Sequence, residues 1–210
     1  MKRLYTAILV PGILLGLGGC ASMSADECML SDWHTIGYED GARGYTADRL
    51  GEHRKACAKH GVAPDLEAYR AGRADGLREF CQPSRGFNLG AAGGRYYGVC
   101  SADMEPDFLD AYRNGQHLHT LRSNVQATNN AILAREADLE QVKQRVRNAE
   151  AALISRETTT EERILLLADL KDMSEETGQL EAEISVLIEE RAMHESQLAS
   201  YEAVLANSGY

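Results

Sequence analysis

The sequence predicts a mainly α-helical protein, with a small disulfide-pinned head of short Gly-containing helices and loops followed by a long antiparallel coiled-coil hairpin. Three observations carry that prediction. Apolar residues recur every seven positions through the second half, one short polar break divides that pattern in two, and cysteine and most of the glycine are confined to the part before residue 116.

Residues 1–19 have the layout of an export signal. Lys2 and Arg3 precede a mostly apolar run from Leu4 to Leu17, shorter than the ~20 residues needed to span a bilayer. The run ends in Leu17-Gly18-Gly19-Cys20, which resembles the lipobox read by the lipoprotein signal peptidase. The resemblance implies cleavage before Cys20 and acylation of that cysteine, a palmitate-type chain included, with each buried methylene adding about 0.8 kcal/mol of membrane affinity. Ala21 follows where an aspartate would signal inner-membrane retention, so the expected location is the cell envelope, on the periplasmic face of the outer membrane. Residues 20–27 are then a lipidated linker.

Residues 28–115 form the expected head. Its four cysteines, Cys28, Cys57, Cys81 and Cys100, are an even number in an exported chain and read as two disulfides. Of three connectivities, pairing of neighbours is favoured, Cys28 with Cys57 and Cys81 with Cys100. The segment 64–72 (Pro-Asp-Leu-Glu-Ala-Tyr-Arg-Ala-Gly) returns at 106–115 with one extra residue, and a fainter copy spans Asp32 to Gly41. Each copy sets an acidic residue before an apolar one and then Tyr-x-x-Gly, which predicts three short helices. Gly37, Gly41 and Gly44 fall at i, i+4 and i+7, and Gly72 and Gly76 repeat the four-residue step, so each helix carries a bare stripe. Helical glycine costs about 1 kcal/mol relative to alanine, and close approach of another backbone or a flat ring compensates. The aromatic residues Trp33, Tyr38, Tyr69, Tyr96 and Tyr112 are the candidates for stacking on a glycan or similar small ligand there. The run from Gly86 to Gly98 reads as a glycine-rich loop, because neither a Gly-Lys-Ser/Thr nor a preceding apolar strand supports a phosphate-binding loop.

The order Cys28, Trp33, Gly37-Tyr38-x-x-Gly41, Cys57, Pro64-Asp65, Tyr69-x-x-Gly72-x-x-x-Gly76-Leu77, Cys81, Gly86-Phe87, Gly94-x-Tyr96, Gly98-Val99-Cys100, Phe108 and Tyr112-x-x-Gly115 resembles the uncharacterised bacterial lipoproteins grouped as domain-of-unknown-function family 2799. The resemblance covers roughly Cys28 to Gly115 and implies a periplasmic lipoprotein with no assigned activity.

Residues 116–206 form the expected hairpin. Leu118, Val125, Ile132, Leu139, Val146 and Leu153 mark one seam, and Leu166, Met173, Leu180, Leu187, His194 and Tyr201 the other. The break, near 157–162, offers capping boxes in Thr158 with Glu161 or Thr159 with Glu162. Folding back about Thr159 and Thr160 pairs Leu153 with Leu166, Leu139 with Leu180, Val125 with His194 and Thr128 with Arg191, the layer pattern of an antiparallel pair. A single continuous helix dimerising in parallel is the alternative, and self-association through the seam stays open with it. The 39 or so residues from Leu118 to Arg156 would reach ~58 Å. Residues 207–210 are a tail.

Composition narrows the function classes. The chain carries a formal charge of −10, and loss of Lys2 and Arg3 on cleavage takes it to −12; this excludes nucleic acid as a partner, since phosphate binding needs clustered cations. No nucleophile elbow, zinc-protease helix or haem attachment sequence is present, so no enzyme and no cofactor is expected. Adjacent acidic pairs such as Glu39-Asp40 read as a solvated face. His53, Cys57 and His60 share a helical face and could ligate zinc or copper, but a disulfide at Cys57 removes the thiolate and no metal is expected. The expected partners are the membrane, through the lipid anchor, and a protein that meets residues 116–206. The expected role is structural or adaptor-like, with small-ligand or glycan binding by the head as the alternative.

Overall fold

A computed structural model describes residues 23–208; the expected signal peptide and Cys20 lie outside these. Among the described residues there are seven α-helices and no strand. They are α1 (Ala25–Leu30), α2 (Trp33–Ala42), α3 (Arg49–Ala58), α4 (Leu66–Phe80), α5 (Pro83–Ala91), α6 (Glu105–Leu153) and α7 (Thr160–Ser208). The start signals are local. Ser24 and Glu27 form a capping box on α1, Asp32 accepts from the His34 amide to cap α2, and Asp65 accepts from the amides of Glu67 and Ala68 to cap α4. Pro83 and Pro106 sit in the first turns of α5 and α6, where a missing N–H costs nothing.

The head is two helix pairs, α2 with α4 and α5 with α6. In each the glycine stripes meet backbone to backbone. A methyl group added at Gly72 would fall on the His34 carbonyl, at Gly37 on that of Tyr69, at Gly76 on that of Tyr38 and at Gly41 on that of Arg73. Numbers rise together on both helices, so the pair runs parallel, with α3 and its flanking loops carrying the chain back. The second pair has the same register: a methyl at Gly86 would meet the Phe108 carbonyl, at Gly90 that of Tyr112 and at Gly115 that of Phe87. At such approach Cα–H groups face carbonyl oxygens across the interface, a weak attraction that offsets the glycine penalty.

Both first helices end alike. Gly44 (φ 72°) and Gly93 (φ 70°) are left-handed. Gly44 N donates to Gly41 O and Tyr45 N to Asp40 O, while Gly93 N donates to Gly90 O and Gly94 N to Leu89 O, the same glycine-terminated cap twice. A disulfide then ties the stretch before the first helix of each pair to the connection leading into the second, Cys28 to Cys57 and Cys81 to Cys100, the pairing favoured from spacing.

The structure corrects three expectations. The run from Gly86 to Gly98 is not all loop, because Pro83–Ala91 is helical; its Gly86/Gly90 step is the same zipper spacing as Gly37/Gly41, and glycine density masked it. The 106–115 copy is not a separate short helix, because α6 passes without a break from Glu105 through Gly115 to Leu153, so head and hairpin share one helix. The expected linker 20–27 already contains the start of α1.

Helices α6 and α7 pack against each other as an intrachain antiparallel hairpin. Val142, Ala149 and Met173 form a buried centre flanked by Val146, Leu166, Leu170 and Leu180. Arg122 with Glu202 (2.8 Å), Arg135 with Glu183 (2.9 Å) and Lys143 with Glu181 (3.2 Å) pair across the two helices in the expected register. His194 reaches one layer past Val125, to within 3.1 Å of the Thr128 hydroxyl, and Arg191 extends to Asn129 Oδ1 at 3.4 Å. The first helix stops at Leu153 rather than Arg156. Of the two capping boxes, Thr159 with Glu162 forms: Thr159 N donates to Glu162 Oε2 at 2.8 Å and Glu162 N to Thr159 Oγ1 at 3.3 Å. Arg163 closes the turn, its guanidinium donating to the carbonyls of Leu153 and Ser155 at 2.6 Å, which satisfies acceptors at the end of α6.

Candidate functional sites

The glycine faces are filled by protein. Each bare stripe is covered by the backbone of the partner helix, which leaves no room for a ligand between them. The aromatic candidates follow. Tyr69 is 1% exposed and Trp33 8%, both within the core that surrounds the first disulfide. Tyr112 donates its hydroxyl to Gly94 O at 2.9 Å. Tyr96 donates to Glu105 Oε1 at 2.8 Å and accepts from Cys100 N at 3.0 Å. These four hold the head together. Tyr38 lines an open cleft with Asp75, Arg78, Glu79, Gln82 and Arg85, and its phenol pKa is raised chiefly by the hydrogen bond it donates to Glu79. The ligand-binding reading of the set therefore loses four of its five residues to packing, and glycines that read as a platform are instead a helix–helix seam.

A polar cluster that sequence reasoning missed lies inside the first pair. Asp40, expected on a solvated face with Glu39, is 5% exposed. Its Oδ2 accepts from the Tyr69 hydroxyl and from His53 Nε2, each at 2.8 Å, and Arg49 Nε stands 3.8 Å from Oδ1. The His53 ring meets those of Trp33 and Tyr69 edge-on, with centroids 6.3 and 6.1 Å apart. Burial alone would raise the Asp40 carboxyl, but the hydrogen bonds from His53 and Tyr69, with the charges of His53 and Arg49, outweigh it and hold the pKa below the usual carboxylate value. Burial, and then the carboxylate it donates to, push the Tyr69 phenol upward. A signal for Asp40 existed in its position: Trp33, Gly37, Asp40, Gly41 and Gly44 fall on one helical stripe, which puts the aspartate among the inward residues and Glu39 outside it. Asp40 and Tyr69 are both buried, so these bonds tie α2 to α4 and to His53 of α3 inside the head.

His53, Cys57 and His60, which share a helical face in the sequence, do not come together as ligands. Cys57 is fully buried in its disulfide and His53 is held by Asp40. Among the described residues no group of three or more His, Cys, Asp or Glu side chains is placed to hold a metal ion. No described helix is long and apolar enough to cross a membrane.

The tip of the hairpin has a different character. Ile154 is 81% exposed, Ile164 64%, Leu165 65% and Leu167 56%, all at the turn or within the first turns of α7. Leu165 and Leu166 line a shallow cleft of about 520 Å³ with Ala152, Thr158 and Glu162. Sequence reasoning placed seams on these helices but singled out no residue at the tip, because Ile154, Ile164, Leu165 and Leu167 lie off the seven-residue pattern.

Comparison with curated proteins and with solved structures finds no match. Comparison with family models finds one, over 32–117, which begins at the cap of α2 and ends two residues past Gly115. The packed glycines of both pairs fall within it, so the head of this chain matches the family described as protein of unknown function, DUF2799.

Proposed function

We propose that this is a membrane-anchored periplasmic lipoprotein with a structural or adaptor role. Cys20 carries the lipid, the DUF2799 head forms a rigid base, and the hairpin presents its tip to a protein partner. The observation that carries the reading is the group of exposed apolar side chains at the tip, Ile154, Ile164, Leu165 and Leu167. An antiparallel pair closes its turn with polar caps, as Thr159, Glu162 and Arg163 do here, and has no structural need for them. Leu133, Val186, Ile188, Met193 and Val204 are also exposed along the hairpin, but four such side chains fall within residues 154–167, and a concentration of that kind is the usual sign of a partner. From Leu118 to Leu153, α6 extends about 54 Å at 1.5 Å per residue, enough to carry that surface well away from a bilayer.

A photo-crosslinking residue at Leu165 in intact cells tests this. A discrete crosslinked protein is expected, lost when Ile154→Asp and Ile164→Asp are added although the helical circular dichroism is kept. Loss of acyl labelling in Cys20→Ala is expected alongside it. An unchanged crosslink in the double variant overturns the tip assignment, and acyl label persisting in Cys20→Ala overturns the anchor.

A further inference from the structure

The helix nearest the anchor has a surface that the head does not use. Helix α1 is held rigidly, with its capping box at Ser24 and Glu27, its Cys28 bonded to Cys57, and Met23 packed on the core so that its Sδ lies 3.9 Å from Cys57 Sγ. With Cys28 turned inward, the two residues after it turn out: Met29 is 59% exposed and Leu30 84%. Only residues 21 and 22 separate Cys20 from the docked Met23, three steps and a reach of at most about 11 Å for extended chain. The expected lipid attachment therefore cannot be far from α1.

We propose that Met29 and Leu30 rest in the interfacial layer of the same bilayer that holds the acyl chains of Cys20. Helix α1 is then a second, shallow membrane contact that fixes the orientation of the head. This rests on the lipid-anchor reading. The occupant follows from chain length, since a surface this close to a lipidated cysteine meets lipid before it meets anything else. Two apolar side chains beside a covalent anchor need little affinity of their own, because the tether already supplies the local concentration. The exposed carboxylates of Asp26 and Glu27 on the same short helix favour a zwitterionic surface over an anionic one.

Methionine oxidation measures this within one molecule, because Met29 and Met193 are equally exposed at 59% and Met193 lies on α7, part of the hairpin. The lipidated protein is placed in vesicles of phosphatidylethanolamine and phosphatidylcholine, treated with dilute peroxide and read by peptide mass. The comparison protein is residues 21–210 exported behind a signal sequence that is not lipidated. In the comparison protein the two methionines are expected to oxidise at similar rates; in vesicles Met29 is expected to slow several-fold while Met193 does not change. If the protein carries its acyl mass and floats with vesicles but Met29 reacts as fast as Met193, the second contact is overturned and the anchor stands. If neither acyl mass nor flotation is found, the anchor fails and the contact with it. Protection of Met29 in the unlipidated protein also overturns the proposal, because protein would then be what covers it.

Discussion

The two helix pairs of the head share one backbone plan and differ in what they bury. Gly37 and Gly41 of α2 and the capping Gly44 correspond to Gly86 and Gly90 of α5 and the capping Gly93, and Tyr69, Arg73 and Gly76 of α4 correspond to Phe108, Tyr112 and Gly115 of α6. Even a side-chain bond is repeated: Arg73 donates to Tyr45 O at 2.8 Å, and Tyr112, in the matching place, donates to Gly94 O at 2.9 Å. Yet where the first pair buries Asp40 against Tyr69, the second has Leu89 and Phe108, packed with Phe80 and Cys81. The frame is set by glycine spacing, the left-handed cap and a disulfide, and these leave the chemistry of the interior open. The carboxylate in the first pair is thus not demanded by the architecture, since its twin stands without one.

The largest expected effect breaks both pairs equally. Gly76→Val and Gly115→Val drive a side chain into the Tyr38 and Phe87 carbonyls respectively, where backbone cannot retreat. Each should cost more than about 3 kcal/mol by urea denaturation. If only one did, the two interfaces would not be equivalent. Removing either disulfide as a pair of serines should follow, at about 3 kcal/mol each, because the loops of 29 and 19 residues they close are of similar size. A difference of several kcal/mol between them would say that one pair folds on the other.

The third test exchanges interiors. Asp40→Leu alone strands the Tyr69 hydroxyl and His53 without their acceptor and should cost about 2 kcal/mol. Adding Tyr69→Phe, which copies the Leu89 and Phe108 arrangement, should recover part of that loss. A double variant less stable than the single one would mean that the two interiors cannot be interchanged. The smallest effect is in pH. The Asp40 pKa is depressed in the folded protein, so its contribution is present above the unfolded value of about 3.9 and is lost as pH falls through the folded value. Urea midpoints between about pH 6 and pH 3 should fall less steeply for Asp40→Leu/Tyr69→Phe than for the wild type.

The hairpin was legible because its information is periodic and local. A seven-residue pattern, one break and a capping box specify two helices and their register, and the Arg135–Glu183 and Lys143–Glu181 pairs fall where that register puts them. The head was legible only in part. Disulfide pairing by neighbours and the Gly37/Gly41 and Gly72/Gly76 stripes were readable from spacing. The internal repeat was visible but displaced by one turn: sequence similarity aligns Tyr69 with Tyr112, whereas packing aligns Arg73 with Tyr112 and Tyr69 with Phe108. Similarity follows residue identity, and the interface follows which carbonyl each glycine meets.

By itself the sequence determined the helical class, the break that divides the hairpin, the hairpin register and the bare faces of α2 and α4, since all of these depend on neighbours within a few turns. Only the tertiary structure decided what covers those faces. It turned a candidate ligand platform into two parallel helix seams, moved Asp40 from an acidic surface pair into the core, and extended the last head helix into the hairpin. It also left apolar side chains outside at α1 and at the tip. Whether a side chain is buried depends on the partner that arrives from elsewhere in the chain, and periodicity within one helix carries no record of that partner.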